Sequence, residues 1–144
     1  VGLAAIGFQP AALGDNGPFT PDPVPAPALN QIFGTSGANT INGPSGRDAI
    51  HGLGGNDQMN GGAGADVFFF GAETRDFRRD TDTIRGYEAG VDRIAFEDAA
   101  VIRSVTNISG GVRITFEGDR DVVNIFGNGL NTSNVGIFAD ELIV

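Results

Sequence analysis

The chain has 144 residues, 23 of them Gly and none Cys, and carries a net charge of −9 from 18 acids against 9 Arg, with no Lys. That length suits about one domain, and so acidic a surface repels nucleic acid and anionic membrane while attracting divalent cations. The lack of Cys excludes disulfides and thiolate sites, and no apolar run approaches the roughly 20 residues of a membrane-spanning helix.

Residues 1–14, VGLAAIGFQPAALG, are small and apolar without a basic n-region, which argues against a Sec-type signal peptide. They are expected to be the end of an upstream domain or a packing strand. The start at Val1 rather than Met suggests a piece of something longer. Residues 15–31 hold five of the seven prolines and read as an extended, semi-rigid linker of polyproline character.

From Gly34 to Phe69 the chain runs in nines: GTSGANTIN, GPSGRDAIH, GLGGNDQMN, GGAGADVFF. Gly holds position one (Gly34, Gly43, Gly52, Gly61) and position four (Gly37, Gly46, Gly55, Gly64). Position six is Asn39, Asp48, Asp57 and Asp66; position eight is Ile41, Ile50, Met59 and Phe68. A fixed period of this kind signals a repeat architecture. The Gly-rich part forms a turn, since Gly accepts positive φ, and the rest forms a short strand whose central side chain points inward. Repeated, turn and strand wind into a coil of parallel strands. Each position-six side chain then lies at the same height on every second turn, where carboxylate and carbonyl oxygens stack. Hard oxygen ligands in flexible loops suit Ca²⁺. A flexible metal-free linker would not keep an apolar residue in one phase.

Beyond Phe70 the nine-residue phase fails. Glu73–Asp80 is charged and reads as a solvated loop. Asp82–Phe96 offers apolar points at Ile84, Tyr87, Val91, Ile94 and Phe96, with a turn at 88–90. Short strands are expected over 100–106, 111–117 and 122–126, able to lie as an apolar lid on the repeats, because short arrays need capping. The acidic stretch EGDRD (117–121) is not an EF-hand: the sixth position from Asp119 is not Gly, and Leu130 stands where a bidentate Glu is needed.

The nonapeptides resemble the RTX (repeat-in-toxin) repeat, G-G-x-G-x-D-x-U-x with U large and apolar. The resemblance implies an all-β fold: a short parallel β-roll over 32–71, preceded by the Pro-rich linker and followed by a β-rich cap over 72–144. It implies calcium between turns stacked on the same side, with Asn39 sharing a site with Asp57 and Asp48 sharing one with Asp66. Gly37, Gly46, Gly55 and Gly64 belong to the same sites, for about two or three ions in all. The array departs from the pattern at position two, which is Gly only at Gly62, and at Asn39, whose missing charge implies a weaker first site. Residues 82–96 resemble the segment that follows the repeats in serralysin-type C-terminal domains. That likeness implies Asp82 as a further ligand and Asp92 as a structural residue. The ending Asp140–Val144, an acidic pair before aliphatics, resembles the uncleaved C-terminal signal of type I-secreted RTX proteins.

No catalytic constellation is visible. The single His, His51, falls at an outward position, and no Ser has His and acid at a recognisable spacing. The expected function is therefore non-catalytic: a calcium-binding RTX module that folds on Ca²⁺ after type I secretion and forms the secretion and stabilisation end of a larger bacterial exoprotein. It would be secreted, extracellular and monomeric, with the type I machinery as partner, no nucleic acid and no membrane insertion. The alternative is a calcium-dependent carbohydrate- or cell-surface-binding module, with extracellular polysaccharide as partner.

Overall fold

A strand of three residues cannot bury one side chain unless another strand lies in register beside it, so the repeat dictates stacking. The computed structural model describes residues 28–71, 79–96, 102–117 and 120–139. The expectations for 1–27, for 72–78 and for the terminal signal at 140–144 lie outside the described residues. The strands are β1 (Asn30–Thr35), β2 (Thr40–Asn42), β3 (Asp48–Leu53), β4 (Gln58–Asn60), β5 (Val67–Phe70), β6 (Thr81–Arg85), β7 (Arg93–Phe96), β8 (Ile102–Ile108), β9 (Gly111–Phe116), β10 (Val122–Phe126) and β11 (Ile137–Ala139).

They form two sheets, ordered β2-β4-β6-β10-β9-β8 and β11-β7-β5-β3-β1. From β1 to β7 the chain alternates between the sheets at every strand, and each strand pairs parallel with the one two before it. This is the expected all-β parallel roll. The described residues contain no helix, and hence none long and apolar enough to cross a membrane.

The register explains the position-eight residues. Ile32, Ile50, Phe68, Ile94 and Ile137 stand side by side across one sheet. Ile41, Met59, Ile84, Ile125 and Val112 do so across the other. The two rows face each other as the core, in which Ile50, Phe68, Ile84, Ile94, Val112 and Ile125 are fully buried.

The structure changes the sequence reading in three places. The parallel ladder does not stop at residue 71: β6 stacks on β4, β7 on β5, β10 on β6 and β11 on β7. The segment expected as a cap therefore continues the roll, with longer connections in place of nine-residue turns. Only β8 and β9 leave the parallel scheme, adding antiparallel strands to the edge of one sheet. Second, the roll begins before residue 32, because the Asn30 amide N–H donates to the Arg47 carbonyl at 2.8 Å within the ladder. Third, Val91 is not a core point. It lies in a turn closed by backbone bonds from Val91 and Asp92 to the Glu88 carbonyl and is 44% exposed.

The turns stack as closely as the strands. Gly64 has φ +132°, and a Cβ there would strike the Gly46 carbonyl one coil below, whereas a Cβ on Gly37 would meet open space. Both are position-four glycines, yet only Gly64 combines the disfavoured backbone with close approach. Gly64→Ala is expected to cost about 1–3 kcal/mol for the backbone conformation alone, with the clash added. Gly37→Ala should stay within about 0.5 kcal/mol. Urea denaturation of the calcium-saturated variants measures both.

Candidate metal centre

Each position-six residue stands at the junction of turn and strand, so its side chain folds back over the turn instead of entering the core. Asp57 and Asp66 reach the coil on the N-terminal side: Asp57 Oδ1 accepts from the Asn39 amide at 2.8 Å, and Asp66 Oδ1 from the Asp48 amide at 2.9 Å. These are the pairs the repeat spacing brings together, at a separation of 18 residues.

The same contact continues past the nonapeptides. Asp82 Oδ1 accepts from the Asp57 amide at 2.9 Å, and Asp92 Oδ1 from the Asp66 amide at 3.0 Å. One ladder is thus Asn39–Asp57–Asp82 and the other Asp48–Asp66–Asp92. The second Asp92 oxygen accepts from the Glu88 amide at 2.9 Å, so both its oxygens hold backbone. Asp80 and Asp121 form a side branch: Asp80 Oδ2 accepts from the Gly55 amide at 3.1 Å and Asp121 Oδ1 from the Asp80 amide at 3.0 Å.

Two residues that the sequence reading passed over belong here. Asn30 stands 18 residues before Asp48 and donates its side-chain N–H to Asp48 Oδ1 at 3.0 Å. The signal was present, since reading one block further back puts Asn30 at position six and Ile32 at position eight. Asp121 was absorbed into a turn because its partner Asp80 lies 41 residues away, a distance no period reveals. Both ladders therefore end in Asn on the N-terminal side. Asn39 Oδ1 accepts from the amide of Thr35 in its own turn at 2.6 Å.

A calcium ion needs oxygens left over by the fold. Asp48, Asp57 and Asp66 are almost fully buried, and the Oδ2 of each has no hydrogen-bond partner. A buried carboxylate oxygen without a partner is costly, and three at equivalent places indicate one shared purpose. Position-one glycines make room for them: a Cβ on Gly52 would lie 2.6 Å from Asp57 Oδ2. Carbonyls face the neighbouring turn too, as a Cβ on Gly62 would lie 2.7 Å from the Gly43 oxygen and 2.9 Å from that of Pro44. No group of three or more acidic, His or Cys side chains converges as a metal cage among the described residues. Sparse carboxylates beside backbone oxygens of the turns that contain Gly37, Gly46, Gly55 and Gly64 are an arrangement that fits a hard cation of flexible coordination.

The carboxylates are also electrostatically frustrated. Burial raises Asp57 and Asp66 to about 6, with neighbouring Asp80 acting on the first and Asp92 and Asp48 on the second. Asp82 is raised to about 7 by burial and then by Asp57, Asp80 and Asp121. Burial likewise raises Asp92.

Residues 30–72 match the hemolysin-type RTX calcium-binding nonapeptide repeat in four copies. No curated protein matches the chain. Among solved structures, the AlgE6R3 subunit from the Azotobacter vinelandii mannuronan C5-epimerase, determined in solution, is similar over 79% of this chain and 81% of that one. The identity is 23% and the TM-score 0.27.

Two outcomes follow from the ladders. The folded chain holds protons on Asp57, Asp66 and Asp82 more tightly than the unfolded chain, so metal-free stability should fall as pH rises from about 4 to about 7. Calcium favours the ionised forms, so its affinity should weaken as pH falls through the same window. Thermal melts in metal-free buffer and calcium titrations at several pH values read the two opposite slopes. Separately, Asn39→Asp should lower metal-free stability by adding a carboxylate at the end of the Asp57 ladder while strengthening calcium binding, which isothermal titration measures.

Proposed function

We propose that this chain is a non-catalytic module that folds when it binds calcium outside the cell, and that it forms the C-terminal secretion end of a larger bacterial exoprotein. The observation that carries the reading is the set of unpartnered, buried Oδ2 atoms on Asp48, Asp57 and Asp66. Without a cation, folding must bury those charges against the self-repulsion of a chain at −9. With calcium, about two or three ions at Asn39/Asp57, Asp48/Asp66 and the extension at Asp82 replace repulsion by coordination. Binding to the folded state alone is a stability term.

The mechanism is a switch between compartments. At low calcium the acidic, Gly-rich repeats remain extended and suit passage through a type I channel. At roughly millimolar calcium, the affinity range of extracellular modules, the turns close and the strands pair. In this reading the module acts as a monomer without catalysis, and His51, the chain's single His, serves in a ring stack between Phe33 and Phe69, with centroids 4.4 and 4.7 Å away.

One observation favours a second reading, calcium-dependent attachment to a carbohydrate or cell surface. Phe33, at the outer end of that stack, is 62% exposed, and exposed aromatic rings serve sugar-binding surfaces. A glycan array with and without calcium separates the two.

The deciding experiment titrates chelated protein with calcium, followed by circular dichroism and calorimetry with Mg²⁺ as control. A cooperative gain of β signal, with little response to Mg²⁺, is expected, and removal of residues 141–144 should then abolish export through a type I system. A chain fully folded in chelator that gains nothing from calcium would sink the reading.

A further inference from the structure

The cations of this chain are unevenly placed. All nine are arginines, and three of them, Arg79, Arg103 and Arg120, line a single open cleft with Thr115, Phe116, Asp121 and Val122. Arg79 precedes β6, Arg103 lies on β8 and Arg120 precedes β10, so three separate segments converge. The cleft forms where the antiparallel strands join the roll, at the irregularity in pairing between Thr115 and Phe116.

Three arginines from separate segments face one space, and the carboxylate among its described lining residues is Asp121. Asp121 is buried, with Oδ1 holding the Asp80 amide at 3.0 Å. Arg79 and Arg103 make no ion pair with any described residue. Among the described residues that line it there are three Arg and one Asp, in a molecule whose total charge is −9. Guanidinium is planar, always charged, and presents paired N–H donors that match oxyanions. The walls add Thr115, whose hydroxyl is fixed against the Ser104 hydroxyl at 2.7 Å. The space, about 280 Å³, suits one charged sugar unit or a small inorganic anion.

We propose that this cleft is a binding site for an oxyanion, a sulfate or carboxylate group, gripped by Arg79, Arg103 and Arg120. The site is distinct from the calcium ladders but joined to them. Asp121 in its wall holds Asp80, and Asp80 holds the Gly55 amide in the turn of Asp57. Ordering of that turn by calcium therefore sets the position of one wall, so the anion should bind the calcium-loaded chain more tightly than the metal-free one.

The test uses the full chain saturated with calcium and shown to be folded by circular dichroism, so that it stands apart from how folding is achieved. Inorganic sulfate, dextran sulfate and neutral dextran are titrated by calorimetry against wild type, Arg79→Gln, Arg103→Gln, Arg103→Lys and Arg113→Gln. Arg113 bonds Asn124 on the sheet surface and controls for loss of charge elsewhere. The expected result is binding of sulfate and dextran sulfate but not dextran, weakened about tenfold in either Gln variant, the worth of one charge-assisted hydrogen bond. Arg103→Lys, which keeps charge without the fork, should fall between, and Arg113→Gln should match wild type. Tighter binding of the polymer than of sulfate would assign the site to a surface polysaccharide, and equal binding to a free anion. Absence of binding in wild type, or equal loss in Arg113→Gln, overturns the proposal.

Discussion

The structure depends on one contact repeated up the molecule: a carboxylate oxygen accepting the backbone amide of the equivalent residue one coil earlier. Asp57 to Asn39, Asp66 to Asp48, Asp82 to Asp57 and Asp92 to Asp66 all make it. The contact satisfies amides at the junctions of turns and strands, and buried backbone groups must find partners. It also fixes which turn lies over which, and hence the register of every strand that follows. Where Asp57 and Asp66 use Oδ1 in this way, Oδ2 is left without a partner, whereas Asp92 gives its Oδ2 to the Glu88 amide. Backbone order and an oxygen open to a cation therefore come from the same side chain at Asp57 and Asp66.

Apolar burial alone does not choose this arrangement. The rows Ile32–Ile50–Phe68–Ile94 and Ile41–Met59–Ile84–Ile125 would bury the same surface if the coils slid together by one strand. The carboxylates remove that freedom, because a slipped turn would lose its amide bond and keep its buried charge. Gly at position one permits the close approach, and the two Asn ends stop each ladder with a neutral group. Tyr87 ties the far end: it is buried, and its hydroxyl lies against the carbonyls of Asp92 and Val135, drawing the turn after β6 onto the segment before β11.

Much of this was legible in the sequence, for a physical reason. Where the period is strict, one residue type does one task, so position six reads as the turn carboxylate and position eight as the core. The pairings Asn39 with Asp57 and Asp48 with Asp66 follow from arithmetic. Legibility faded where the connections lengthen. Thr81–Arg85 and Arg93–Phe96 keep the strand pattern, but their offsets from Gln58 and Val67 are 25 and 26 residues, so stacking on the roll could not be read from spacing. Asn30 was hidden by the prolines before it, which gave the whole stretch the look of a linker. The Arg cleft was invisible because its members are far apart in sequence and meet only through the β8–β9 hairpin.

The alternation of strands between two sheets has a consequence for how such a chain can lengthen. Neighbours within a ladder are 18 residues apart, so two nonapeptides are the smallest insertion that leaves every later residue on its own sheet. An insertion of one nonapeptide would be silent to the core, since another position-eight residue would point inward. It would nevertheless exchange the outer faces, moving the Phe33–His51–Phe69 stack out of alignment and carrying β6 and its arginine to the opposite side of the molecule. Repeat number is therefore subject to a parity rule, enforced by what the outer surfaces carry and not by the stability of the roll.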